Sequence, residues 1–204
     1  MISYALPPCP DLACREATYV FRSGSFNEEE IKQIVDLGER YLRLQPASTL
    51  GDNGAPNHSV RNSDVSWITL GPDTQWIYDR IGWIVRELNG QFFQFDLFGF
   101  TEELQYTTYE GSTDINECGH YTWHVDKGNA VQAPRKLSVV IQLSDPSEYE
   151  GGNLELLLGN QPLVLKKQQG LLYAFPSYTL HRVTPVTAGK RRTLVVWLTG
   201  PKFK

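Results

Sequence analysis

His124 and Asp126 sit two positions apart in Tyr121-Thr122-Trp123-His124-Val125-Asp126, a stretch of β-branched and aromatic residues. Side chains alternate faces along a β-strand, so an imidazole and a carboxylate at this spacing point the same way. They offer two corners of a metal site. His181, in Tyr178-Thr179-Leu180-His181-Arg182-Val183, is the candidate for a third. Two histidines and one carboxylate form a donor set that holds iron(II) on one face and leaves the other face open for substrate and oxygen. Arg191 follows His181 by ten positions (191 − 181), after the turn signal Ala188-Gly189. At the start of a strand running beside the one with His181, its guanidinium can grip a carboxylate through two parallel hydrogen bonds. A dicarboxylic 2-oxo acid that chelates the metal at one end would offer that carboxylate at the other. Taken alone, Arg191 with Lys190 and Arg192 also reads as a solvated basic turn; the three metal-type residues favour the co-substrate role.

Such residues need a rigid frame, and hydrophobic periodicity predicts one. Residues 1–14 are proline-rich and irregular, and Ala17–Phe21 reads as a short strand. Ser25 and Glu28 have the spacing of a capping box. Ile31, Ile34, Val35, Gly38, Tyr41 and Leu42 then follow at helical spacing, up to about Leu44. A second helix runs from Asp73 or Thr74 to Leu88, with Asn89-Gly90 as a left-handed stop. Strands are expected over Val65–Leu70, Phe92–Leu97, Glu103–Tyr109, Leu137–Leu143, Asn153–Leu158, Leu163–Lys166, Gly170–Phe175, His181–Pro185 and Thr193–Thr199. Leu137–Leu143 is nearly all apolar, as a strand buried on both faces should be. Gly151-Gly152 is a tight turn and not a phosphate loop, because no helix follows it. Two helices followed by many short strands predict a mostly β fold with flanking helices: a jelly-roll core with the N-terminal helices packed on one sheet. A single domain over residues 1–204 is expected, with helical support over about 15–90 and the core over about 91–204. The loop Ala47–His58 and the insertion Glu110–Gly119 are candidate lids.

Composition narrows the function classes. The chain is 41% hydrophobic and 21% charged, a normal globular balance, and its net charge of −4 argues against holding nucleic acid through its phosphates. Cys9, Cys14 and Cys118 have neither the number nor the spacing of a disulfide framework or a zinc site. No stretch has the length of a membrane span, and the N-terminus lacks the features of a signal peptide. A cytoplasmic protein is expected. His58 and His120 read as exposed loop residues.

Four ordered motifs give a specific resemblance. They are Tyr121–Asp126 (YTWHVD), Arg135–Pro146 (RKLSVVIQLSDP), Tyr149–Leu156 (YEGGNLEL) and His181–Arg191 (HRVTPVTAGKR), closing on Trp197. The chain resembles the prolyl 4-hydroxylase-like branch of the iron(II)- and 2-oxoglutarate-dependent dioxygenases, especially its PKHD-type hydroxylases. The likeness is strong from about Gly99 onward and loose over the helices. It implies a double-stranded β-helix, iron(II) at His124, Asp126 and His181, and 2-oxoglutarate held by Arg191, with dioxygen as co-substrate and ascorbate as a further cofactor. It also implies hydroxyls near the far carboxylate of 2-oxoglutarate. Tyr109 and Ser138 are the best matches, and Tyr106 competes with Tyr109. Tyr121 matches a tyrosine on the substrate side; packing beside Trp123 is the alternative.

A related halogenating group lacks the carboxylate, so Asp126 favours hydroxylation. The implied substrate is a prolyl residue in a peptide or protein, with a free amino acid or small metabolite as the alternative. A non-catalytic jelly-roll binding module is the competing class, opposed by the presence of all four residues. An oxidative demethylase of nucleic acid bases is opposed by the acidic balance. PKHD relatives include homo-oligomers.

Overall fold

A computed structural model of the chain describes residues 17–44 and 58–203. Its elements, in chain order, are β1 (Val20–Arg22), α1 (Glu28–Leu44), β2 (Arg61–Asn62), β3 (Asp64–Ile68), α2 (Gln75–Leu88), β4 (Gly99–Phe100), β5 (Leu104–Glu110), β6 (His120–His124), β7 (Arg135–Gln142), β8 (Tyr149–Gly151), β9 (Leu154–Leu156), β10 (Leu163–Val164), β11 (Leu172–Pro176), β12 (His181–Val183) and β13 (Val186–Thr199). The larger sheet has the order β1-β11-β7-β13-β5-β3, with β4 and β8 also paired to β13. The smaller sheet has the order β10-β9-β12-β6-β2. All the pairings are antiparallel.

Strand parity sorts the core into layers. Leu137, Val139 and Ile141 of β7 join Leu104, Tyr106, Leu194, Val196 and Leu198 against the helices, where Ile34, Ile77, Ile81 and Ile84 meet them. The alternate residue Val140 faces inward, with Leu154, Leu156, Tyr173 and Phe175. Tyr109, Tyr149, Val183 and Val186 form a third cluster nearer one end of the space between the sheets. Strand β7 is therefore covered on both faces, as its apolar run predicts. The helices pack on one sheet, also as predicted.

Helix α1 is fastened to that sheet at one close approach. The Ser66 hydroxyl donates to the Gly38 carbonyl (3.0 Å), and the Tyr106 hydroxyl donates to Glu39 (3.0 Å). A Cβ at Gly38 would run into the Tyr106 ring. Gly38→Ala is expected to destabilise the fold by about 1–3 kcal/mol, the typical cost of overpacking. A denaturant melt within 0.5 kcal/mol of wild type, roughly the limit for an unremarkable surface substitution, would refute this packing argument.

Local details depart from the sequence reading for local reasons. The cap of α1 is Asn27, not Ser25: the Asn27 side chain accepts from the Glu30 N–H and the Glu30 carboxylate accepts from the Asn27 N–H, both at 2.9 Å. The Ser25 hydroxyl donates instead to the Arg22 carbonyl. Asn89 is right-handed and does not stop α2. The chain continues as a π-turn over Asn89–Phe93 and turns left-handed at Gln94 (φ 53°), so Phe92–Leu97 is not a strand. Of the expected loop Ala47–His58, only His58 falls within the described residues, and Cys9 and Cys14 lie outside them. The insertion is fastened rather than lid-like. Gly111 N–H donates to the Gly189 carbonyl, Gly119 N–H to Glu110, and Val186 N–H to the Gly119 carbonyl. No helix among the described residues is long and apolar enough to cross a membrane.

Candidate metal and co-substrate site

Strands β6 and β12 are neighbours in the smaller sheet, and their register sets His124 directly opposite His181. The two ring centroids are 4.1 Å apart. Strand β6 ends at His124, so Asp126 lies just beyond the ladder and not on it. Val125 is exposed and lines the cavity, while the Asp126 carboxylate is buried and lies close to both rings. One carboxylate oxygen lies 3.8 Å from His124 Nε2 and the other 3.6 Å from His181 Nε2. One donor atom from each of the three residues falls within 4.8 Å of the others.

The surroundings fix the tautomers. Nδ1 of His124 lies 2.8 Å from the Thr122 carbonyl, and Nδ1 of His181 lies 2.9 Å from the Thr179 carbonyl. A carbonyl can only accept, so each Nδ1 carries the proton and each Nε2 keeps its lone pair for a metal. Burial, then the neighbouring His181, lowers the His124 pKa to about 4, against the opposing pull of Asp126. Burial alone would raise the Asp126 carboxyl. The flanking His181 and His124 rings and the Ser138 hydroxyl reverse that and hold it below the ordinary carboxylate range.

Ser138 differs from the role implied by resemblance. Its hydroxyl donates to the Asp126 carboxylate (2.6 Å) and lies 3.0 Å from the Ser177 hydroxyl, at the metal end of the site. It does not line the cavity. Ser138→Ala is expected to weaken metal affinity about tenfold by freeing that carboxylate to rotate. Unchanged affinity in an iron(II) titration would show that Asp126 is oriented by other contacts.

Arg191 lies in the middle of β13, not at the start of a strand. Gly189, left-handed at φ 72°, is where β13 passes from pairing with β8 to pairing with β5, so the predicted turn is a kink inside one long strand. Arg191 therefore faces the histidines from the opposite sheet and is not beside them. It is 2% exposed, and its Nε and Nη2 have no hydrogen-bond partner among the described residues. Its guanidinium lies 5.3 Å from the Tyr109 ring centroid. A Cβ at Gly152 would come within 2.9 Å of the Arg191 Cδ, so the Gly151-Gly152 turn also clears space for this side chain.

Tyr109 is cross-strand partner to Arg191 and lines the cavity; Tyr106, an odd number of residues away, faces the helices. Tyr121 stacks on His124, with centroids 3.4 Å apart and planes 16° apart. His120 is half-buried in β6, with Nδ1 2.9 Å from the Cys118 carbonyl, and is not an exposed loop residue.

His124, Asp126, His181, Arg191, Tyr109 and Tyr121 all line one cavity of about 500 Å³. Three contributors escaped the sequence reading. Arg61 also lines the cavity. Arg135 pairs with Glu102, donates to the Asp126 carbonyl (3.2 Å) and lies 3.6 Å from the Trp197 ring centroid. Tyr149 lies against Arg191. Arg135 and Tyr149 open two of the four motifs, which was the available signal.

The model of the 2OG-Fe(II) oxygenase superfamily matches residues 104–199. A PKHD-type hydroxylase of Sphingopyxis alaskensis is 39% identical over 83 residues, covering 39% of this chain and 38% of that protein. A PKHD-type hydroxylase of Synechococcus sp. is 42% identical over 80 residues, covering 38% and 35%. The matched segment thus spans little more than a third of these relatives. A Pseudomonas putida prolyl-4-hydroxylase superposes with a TM-score of 0.71 at 16% identity, covering 91% of this chain and 94% of that one. A Trichoplax adhaerens prolyl hydroxylase, solved with a hypoxia inducible factor peptide fragment, gives 0.73 at 16%, covering 89% and 83%. The architecture is the double-stranded β-helix. Residues 104–199, a little under half of the chain, carry the match to the 2OG-Fe(II) oxygenase superfamily, and the relatives they resemble are of the PKHD type. That family implies iron(II), 2-oxoglutarate and dioxygen. The site fits them: three preset donors meet on one side, and a buried guanidinium with unpaired N–H groups lines the same cavity.

Proposed function

We propose that this protein is an iron(II)- and 2-oxoglutarate-dependent dioxygenase that hydroxylates an unactivated C–H bond of a prolyl residue in a peptide or protein. One observation carries the reading. A cavity between two sheets combines a His-Asp-His cluster with a buried arginine whose Nε and Nη2 have no partner among the described residues. An unpaired buried donor costs stability, so its retention points to a ligand that completes it.

In this reading His124, Asp126 and His181 hold iron(II), and Arg191 receives the far carboxylate of 2-oxoglutarate beside Tyr109. When bound, iron(II) with 2-oxoglutarate and dioxygen supplies the oxidising chemistry, giving succinate, carbon dioxide and a hydroxylated product. The protein's own residues bind and orient. The Thr122 and Thr179 carbonyls keep both Nε2 atoms aimed inward, Ser138 steadies Asp126, and Tyr121 braces His124. Val140, Leu154, Val183 and Val195 give the cavity an apolar wall that excludes water. Prolyl specificity rests on the named structural neighbours, one of which holds a peptide. We place the protein in the cytoplasm on its cysteine pattern.

The test is anaerobic titration with iron(II) and then 2-oxoglutarate, following the visible charge-transfer band. Oxygen and proline-containing peptides are then added and succinate and product mass are measured. A band followed by peptide hydroxylation supports the proposal. No iron binding and no band would leave the binding-module reading in its place. A band with turnover of free amino acids alone would overturn the peptide part.

A further inference from the structure

Arg61 stands on β2, the edge strand of the smaller sheet, and lines the cavity. Its guanidinium carbon lies 4.8 Å from the Tyr121 ring centroid, and Tyr121 in turn stacks on His124. Planar groups thus lead from a candidate metal ligand to a cation. A guanidinium lying over an aromatic face keeps its N–H edge free for in-plane hydrogen bonds. Arg61 spends only Nε, which donates to the Ser63 hydroxyl at 2.8 Å. Among the described residues, its terminal nitrogens have no hydrogen bond or ion pair.

Charge balance makes this edge informative. Among the described residues, three guanidiniums line the cavity, those of Arg61, Arg135 and Arg191, against one carboxylate, Asp126. Arg135 is neutralised by the two-pronged pair with Glu102. In the proposed function, iron(II) and Arg191 together offset Asp126 and the two carboxylates of 2-oxoglutarate. Among the described lining residues, Arg61 is then the cation left uncompensated, and it lines the same cavity as the candidate metal ligands.

We propose that Arg61 reads a carboxylate on the substrate, so that the molecule hydroxylated here carries an acidic group within reach of the stacked Tyr121. The inference rests on the proposed function for the meaning of "substrate". A carboxylate suits the free edge because it accepts two parallel hydrogen bonds. It has two possible sources: an acidic side chain near the target residue of a peptide, or the α-carboxylate of a free amino acid.

The test measures binding, not turnover. Full-length protein is loaded anaerobically with iron(II) and 2-oxoglutarate, and equilibrium binding is also measured without metal. One probe pair is a blocked peptide pool with a central proline and a glutamate scanned through the flanking positions, against the same pool with glutamine. The other is free L-proline against L-prolinamide. The acidic member of one pair is expected to bind about tenfold tighter, or more, with Arg61→Gln erasing the difference and Arg61→Lys keeping part of it. The pair that responds identifies the source of the carboxylate. A purely structural Arg61 would weaken both members equally and leave their ratio unchanged.

Equal binding of both members in wild type, a preference that survives Arg61→Gln, or no binding of any probe would overturn the proposal. The charge-transfer band in the same samples separates the two ideas. A band without an acidic preference sinks this inference alone, whereas an Arg61-dependent preference without a band sinks the oxygenase reading alone.

Discussion

Arg191→Met is expected to make the metal-free protein more stable while abolishing its hold on 2-oxoglutarate. The two effects have one cause. The Arg191 guanidinium is buried, and its Nε and Nη2 have no partner among the described residues. Leaving such donors unsatisfied costs about 1–3 kcal/mol, and an apolar side chain of similar length removes the penalty while filling the same space. The same donors are the proposed anchor for a carboxylate. Removing one partner of a buried, hydrogen-bonded charge pair should weaken co-substrate binding roughly 100-fold or more. Thermal melts of wild type and variant, each with and without 2-oxoglutarate, read both effects. Wild type should be stabilised by about 2.7 kcal/mol at a ligand concentration of 100 times Kd, and the variant should not respond. A variant that melts below wild type, or one still stabilised by 2-oxoglutarate, would count against this role.

Asp126→Ala is expected to lower iron(II) affinity about 100-fold or more. The carboxylate is the element between the two imidazoles, with an oxygen 3.8 Å from one Nε2 and another 3.6 Å from the second. Without it, two neutral donors remain on facing strands, with no negative charge to balance the metal. The scaffold should survive, because Ser138 keeps the Ser177 hydroxyl as a partner. Metal titration by equilibrium dialysis, with the melting temperature as a check on folding, reads the outcome. Tight iron binding by a folded Asp126→Ala protein would mean that the three residues are not a metal site.

The candidate site residues are the most legible part of the chain. His124, Asp126 and His181 are found by spacing because strand parity and a plausible donor set restrict the choices strongly. Its distance from His181 singles out Arg191 as a candidate, but not its setting inside a long strand. Gly189 looks like a turn from sequence, yet with left-handed φ it can sit as a kink inside a strand whose pairing partner changes. Ser25 and Asn27 are both good caps, and only the packing of α1 decides between them. Ser138 could not be assigned from one sequence, because whether its hydroxyl meets Asp126 or a ligand depends on how the chain turns after His124. Arg61 and Arg135 look like ordinary surface cations until the sheets close around them.

The place of β13 has a kinetic consequence. It lies between β7 and β5 in space but follows both in sequence. Strand β6 lies between β5 and β7 in sequence, and β8 to β12 lie between β7 and β13, so long loops must close before the central hydrogen bonds of β13 form. Before insertion, β5 and β7 present open edges able to pair with other chains. The larger sheet should therefore close slowly, and refolding at high concentration should divert into aggregates during that interval. Arg191 reaches the cavity only as β13 inserts, so competence to bind 2-oxoglutarate should appear with the last slow refolding phase.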